Sequence, residues 1–152
     1  MKPLIKRYAN NPVITTKDLP MHANCVFNSG AVVVGDEIVM LVNTWVSDWT
    51  PMFLVGRSLD GIHFEISDRN MAVPPKEYPY VPHEGIFDTR ITPLEGYYYV
   101  TYNVASRLGG RIMLARTKDF SELETLGFIT QPDHRNCILF PQKFGEIGRA
   151  HV

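Results

Sequence analysis

His83-Glu84-Gly85-Ile86-Phe87-Asp88-Thr89-Arg90-Ile91-Thr92 ends in an apolar, β-branched run, from Ile86 on, that one acid, Asp88, and one base, Arg90, interrupt. Its reading decides the fold because the chain has already said something similar. Asn28 lies sixty residues before Asp88, and at that offset Gly30-Ala31 falls on Arg90-Ile91 and Val42-Asn43 on Tyr102-Asn103. One residue is then lost, and Val55-Gly56-Arg57-Ser58-Leu59-Asp60 falls on Leu114-Ala115-Arg116-Thr117-Lys118-Asp119. A third copy opens at Gln142-Lys143-Phe144, echoing Thr89-Arg90-Ile91. A four-strand unit recurring every roughly 50 to 60 residues has the period of a β-propeller blade. The first strand of each blade lines the central channel of a propeller, so Asn28 and Asp88 are expected to point at one axial pocket.

Within each copy the vocabulary is that of strands. Eleven Pro and eleven Gly punctuate short runs rich in Val, Ile, Tyr, Phe and Thr, leaving almost no room for helix. Residues 31–34, 38–45 and 52–56 read as three strands of the first copy, with Gly35-Asp36-Glu37 as a hairpin turn. Residues 86–92, 97–104 and 111–117 read as three strands of the second. Between the copies, Val73-Pro74-Pro75 to Pro82 is a loop, since proline cannot serve a central strand. Ser58-Leu59-Asp60-Gly61 reads as a turn between outer strands. The fold class is all-β.

Composition excludes several partners. Fifteen Lys and Arg against sixteen Asp and Glu, with no like-charge block, argue against nucleic acid or an anionic membrane. Cys25 and Cys137 stand far apart, and His22, His63, His83 and His134 have no metal-ligand spacing, so no metal or cofactor is expected. Met1-Lys2-Pro3-Leu4-Ile5-Lys6-Arg7-Tyr8 lacks the apolar run of a signal peptide, and no stretch approaches the ~20 apolar residues of a membrane helix. The expectation is a soluble, cytoplasmic protein, with homo-oligomerisation left open. Ile147-Gly148-Arg149-Ala150-His151-Val152 is one frame's translation of ATC GGA AGA GCA CAC GTC, the body of a common sequencing adapter, and Glu146 fits the same frame. Residues 1–145 are therefore expected to be the N-terminal part of a single catalytic propeller, residues 146–152 a non-native tail, and the isolated chain inactive.

Further stretches carry a family resemblance. They are Asn11-Pro12-Val13-Ile14, Val26-Phe27-Asn28-Ser29-Gly30-Ala31, Arg57-Ser58-Leu59-Asp60-Gly61, Gly85 to Thr92, Tyr98-Tyr99-Val100-Thr101-Tyr102 and Leu114-Ala115-Arg116-Thr117-Lys118-Asp119-Phe120. Pro132-Asp133-His134-Arg135-Asn136 and Leu139-Phe140-Pro141-Gln142-Lys143 follow in order. From Asn11 to about Gly145 the chain resembles the glycoside hydrolase family of β-mannoside phosphorylases and β-mannosidases. The resemblance implies a five-bladed propeller, of which about two and a half blades stand here. Four positions depart from the family pattern: Phe87 for Glu, Thr89 for Pro, Asn43 for Arg and Gln142 for Glu.

The resemblance implies that Asp88 protonates the glycosidic oxygen of a β-1,4-mannoside while inorganic phosphate attacks the anomeric carbon from the opposite face. The product is α-mannose 1-phosphate, and phosphate is a co-substrate rather than a cofactor. One carboxyl group then suffices; an inverting hydrolase needs a second, roughly 6.5–9.5 Å away, to activate water. Arg135 matches a phosphate-binding position, where a planar guanidinium suits an oxyanion. Asn28 and Ser29 match positions that contact the mannose beside the scissile bond, and an amide can donate to one hydroxyl and accept from another. Arg90 and Tyr102 complete the expected substrate-binding set. Alternate residues of a strand face opposite ways, so at most half of Tyr97, Tyr98, Tyr99 and Tyr102 can line the site; Tyr98 and Tyr99 are read mainly as core. On the residues alone, Asp88 and Arg90 form a strand-end ion pair equally well, and Glu84 serves either as a water-activating base or as a solvated loop carboxylate. An inverting β-mannosidase and a non-catalytic glycan-binding propeller are the alternative functions.

Overall fold

A computed structural model describes residues 4–72 and 85–145. The Pro-rich loop at 73–82, His83, Glu84 and the expected tail at 146–152 lie outside the described residues. Eight strands run in chain order: β1 (Ala23–Val34), β2 (Glu37–Val46), β3 (Pro51–Ser58), β4 (Glu65–Asn70), β5 (Ile86–Leu94), β6 (Tyr97–Val104), β7 (Arg111–Thr117) and β8 (Glu124–Phe128). They form two four-stranded antiparallel meanders, β1-β2-β3-β4 and β5-β6-β7-β8, which are two successive propeller blades. A single 3-10 turn at Thr16–Asp18 is the one helical element among the described residues.

Local chemistry explains the hairpins. Gly35, with φ of 60°, opens the two-residue turn from β1 to β2, and Val34 pairs with Glu37 across it. Glu37 thus begins β2 instead of ending the turn. Glu95 and Gly96 both take positive φ at the β5–β6 turn, the geometry whose twist suits an antiparallel pair. The outer turns repeat almost atom for atom. Gly61 N donates to Ser58 Oγ at 2.9 Å in the first blade, and Phe120 N donates to Thr117 Oγ1 at 3.0 Å in the second.

The central strands of the first blade are buried on both faces, which is why their sequences read as apolar runs rather than clean alternations. Val39, Leu41, Phe53 and Val55 face the second blade and pack with Ile86, Ile91, Val100, Tyr102, Val104, Met113 and Ala115 in one core. The rings of Phe53 and Tyr102 meet edge to face at 5.3 Å. Val42 and Leu54 point the other way and are covered by Ile14 and Leu19 from the N-terminal segment. At the seam between blades, a β-carbon on Gly30 would sit 2.7 Å from the Thr89 carbonyl oxygen. Gly30 N also donates to Thr89 Oγ1 at 2.9 Å, so glycine permits the approach and a hydroxyl satisfies it. Farther out, Arg57 Nη2 donates to Asp119 O at 2.9 Å while its Nη1 meets Glu37 at 2.8 Å.

Each blade has the four strands expected, β4 and β8 being the ones not located in the sequence, and β1 begins at Ala23, well before residue 31. At the expected opening of the third copy Phe144 makes a single β-bridge, and the segment before it lies along the second blade, held by Thr101 Oγ1 to Cys137 O (2.6 Å) and Thr92 Oγ1 to Leu139 O (3.3 Å).

Candidate active site

The first strand of each blade is broken at the same place. In β1 the pairing with β2 skips from Phe27↔Asn43 to Gly30↔Leu41; in β5 the pairing with β6 skips from Phe87↔Asn103 to Arg90↔Thr101. Two residues oppose one in each case, which defines a β-bulge. The first bulged residue is left-handed in both blades: Asn28 at φ of 41° and Asp88 at 59°. Asn and Asp are the side chains that best tolerate this region after glycine. The bulge re-aims both side chains toward each other across the seam.

Asn28 Nδ2 donates to Asp88 Oδ1 at 2.6 Å, and Asn103 Nδ2 donates to Asp88 Oδ2 at 2.9 Å. Both carboxylate oxygens are therefore engaged by neutral amides. Asn43, at the position of Asn103 in the first blade, gives its Nδ2 to the Asn28 carbonyl at 2.9 Å, and its Oδ1 accepts from Thr89 Oγ1 at 3.3 Å. The result is a closed circuit, Asp88 to Asn28 to Asn43 to Thr89, that ties the two bulges together. Among the described residues no second carboxylate bonds into it.

The expected site residues divide. Asn28 and Asp88 are brought together, and Asn28 and Ser29 border an open groove of about 490 Å³ walled by residues 11–14, Val26, Phe27 and Met40, with Arg7 at its edge. Ser29 Oγ itself turns back onto the strand, accepting from Asn43 N at 3.1 Å. Arg90 makes no ion pair with Asp88; its Nη1 donates to the neighbouring Thr89 carbonyl at 2.8 Å. Tyr102 is corrected. It is 1% exposed, packed on Phe53 in the interblade core, and cannot stack on a ligand. Burial pushes its phenol up to about 12, opposed in part by a hydrogen bond with Thr125. Tyr98 packs against that core as expected, whereas Tyr99 lies half-buried beside Tyr97, ring centroids 6.3 Å apart. Arg135 is exposed, its guanidinium 5.8 Å from the centroid of the Phe87 ring, next to the bulge. The following residue, Asn136, donates its backbone N–H to Asn103 Oδ1 at 3.4 Å, so this segment reaches the same cluster.

Sequence reasoning missed Asn43, Thr89 and Asn103 as members of the site. They are 1%, 0% and 2% exposed. For Asn43 and Asn103 the signal was an amide at the same place in both copies, and for Thr89 a hydroxyl that falls on Ser29 at the same offset. Another concavity, about 410 Å³ around Glu37, Arg57, Asp60 and His63, lies at the outer turns. Its charged groups already pair with one another, Arg57 with Glu37 and Asp60 with His63, so it offers less to a ligand.

Residues 2–144 match the family model described as β-1,4-mannooligosaccharide phosphorylase, of glycoside hydrolase family 130. The chain is 35% identical over 89 residues to a β-1,2-mannobiose phosphorylase of Listeria innocua, a match spanning 59% of this chain and 24% of that protein. The solved Listeria innocua β-1,2-mannobiose phosphorylase superposes with a TM-score of 0.75 at 22% identity, over 90% of this chain and 54% of that one. A glycosyl hydrolase from Bacteroides ovatus superposes with a TM-score of 0.63 at 23% identity, over 71% of this chain and 32% of that one. The chain thus spans about half the length of the solved phosphorylase it matches.

Proposed function

The chain belongs to glycoside hydrolase family 130, and from that premise we propose that the propeller to which it contributes cleaves β-mannosides by inverting phosphorolysis. Asp88 acts as the general acid. It delivers its proton to the glycosidic oxygen as the bond to the anomeric carbon breaks, and a phosphate oxygen forms the new bond from the opposite face. The leaving sugar departs as an alcohol, the donor sugar as α-mannose 1-phosphate, and Asp88 regains a proton from solvent. Residues 1–145 supply the first part of this single catalytic domain. Asn28 binds the mannose beside the scissile bond, with Ser29 shaping the strand next to it and Arg90 bracing the bulge. Arg135, above Phe87, supplies positive charge for phosphate.

The observation that carries this reading is Asp88, the one carboxylate in this cluster among the described residues, re-aimed by a bulge and held between two amides at 2.6 and 2.9 Å. One acid is what phosphorolysis needs, because phosphate is already a nucleophile. As to linkage, the family description names β-1,4-mannosides, while the relative with 35% identity is named for β-1,2-mannobiose and supports that disaccharide as a second reading.

The test uses a full-length propeller carrying this sequence, incubated with β-1,4- and β-1,2-mannobiose with and without phosphate. The expected outcome is α-mannose 1-phosphate that appears only with phosphate, the faster disaccharide identifying the linkage. Asp88→Asn should lower kcat by about 10²–10⁴ while leaving disaccharide binding intact. Free mannose released regardless of phosphate would replace phosphorolysis with hydrolysis. Binding without turnover of either disaccharide would leave a glycan-binding propeller.

A further inference from the structure

Asn103 is a buried amide on the face of β6 that also carries Thr101, opposite the face given to the interblade core, and a buried polar group is retained cheaply only when its hydrogen bonds are made. Both ends of this one are used. Nδ2 donates to Asp88 Oδ2 at 2.9 Å and Oδ1 accepts from Asn136 N at 3.4 Å. The reverse orientation would set the amide oxygen against a carboxylate oxygen and its NH₂ against an N–H, so the environment fixes which end faces Asp88. Its counterpart Asn43 spends the same Nδ2 on the Asn28 main-chain carbonyl. The two blades thus use one buried amide in two ways, to hold a backbone in the first and a carboxylate in the second.

The two oxygens of Asp88 are consequently unlike. Oδ1 faces Asn28, which borders the open groove; Oδ2 faces a donor that is 2% exposed and anchored at its far end. A carbonyl-type oxygen accepts better than a hydroxyl oxygen. Asn28 also donates to Oδ1, at 2.6 Å, but it borders the groove and is the amide assigned to the mannose, so a sugar hydroxyl takes that donor on binding. The buried donor at Oδ2 stays, and it leaves the acid proton on Oδ1. We propose that Asn103 is a positioning residue for Asp88, holding Oδ2 so that the transferable proton sits on the oxygen nearer the groove. This rests on Asp88 being the general acid.

The test compares two variants of the full-length propeller that are isosteric with each other, Asn103→Val and Asn103→Thr, on whichever mannobiose is turned over and on 2,4-dinitrophenyl β-mannoside, with phosphate present. The dinitrophenolate leaves without needing a proton, so that substrate bypasses the acid. Asn103→Val should lower kcat on the disaccharide on the order of tenfold, with KM nearly unchanged, and spare the activated substrate. Asn103→Thr, which keeps a donor in the same shape, should recover most of the loss. Equal losses on both substrates, or equal losses for Val and Thr, would show a packing role only and overturn the proposal, as would an unchanged disaccharide rate. If Asn103→Val does not fold, Asn103→Ala against Asn103→Ser makes the same comparison. Asp88→Asn is the control: if it fails to show the same dependence on the leaving group, the acid assignment itself is wrong, and this proposal falls with it for a reason read separately.

Discussion

Asn28 and Asp88 hold a left-handed backbone that costs an ordinary L-residue roughly 1–2 kcal/mol, and they hold it because the pairing around them leaves no other course. Gly30, two residues on, is under the opposite pressure. A β-carbon there would meet the Thr89 carbonyl at 2.7 Å, a backbone atom that cannot step aside. Gly30→Ala should therefore destabilise the protein by about 1–3 kcal/mol, read as a lower urea midpoint. Tyr102 makes a contribution to stability that alkaline pH removes. Its phenol is raised from 10.0 to about 12 in the folded state, so ionisation comes first in the unfolded chain. Its contribution is whole below pH 10 and is lost as pH rises through 12. Measured over that range, Tyr102→Phe should flatten the fall in the urea midpoint. Asp88 and Asn28 were legible because the repeat set one upon the other. Tyr102 was not, because alternation says which residues share a face and not which face meets a neighbouring blade.

Single strands and turns show the same partial legibility. Ser58 Oγ accepts from Asp60 N and Gly61 N, at 3.3 and 2.9 Å, and Thr117 Oγ1 does the equivalent for Phe120 N. Both hydroxyls are buried. Ser58→Ala and Thr117→Val should each cost about 1 kcal/mol in chemical denaturation, while Ser58→Thr, borrowing the second blade's residue, should be near neutral. In the same turn Asp60 accepts from the His63 and Ile62 backbone and from the His63 ring, and these bonds hold its carboxyl well below the usual range. The turn was readable from Ser58-Leu59-Asp60-Gly61 because its chemistry is local. β4 was unreadable because Glu65-Ile66-Ser67-Asp68-Arg69-Asn70 is almost wholly exposed, and an edge strand dressed in charge shows no apolar period. The first half of β1 was hidden by its own bulge, whose Asn28-Ser29-Gly30 looks like the end of a strand.

At the scale of the molecule, the two blades share one core, and neither can lose its inner face without uncovering the other. Phe53→Ala, made in the first blade, should cost about 3–5 kcal/mol and should lower hydrogen-exchange protection in β6 of the second blade as much as in β2. Loss of protection confined to the first blade would mean that the blades open separately. The blade architecture was legible from the sixty-residue offset alone, because duplicated cores repeat their apolar spacing. The seam was not, since Gly30, Thr89, Asn43 and Asn103 are joined by hydrogen bonds that no one-dimensional period records.

The doubled bulge bears on how such a molecule changes over generations. A blade copied as a unit carries its left-handed kink with it, already aimed at the seam. Asparagine and aspartic acid differ there by one terminal group, so exchanging them alters the chemistry while the scaffold stays as inherited. Descent with modification can then proceed at side-chain ends, turning a neutral amide in one copy into a titratable carboxyl in the next.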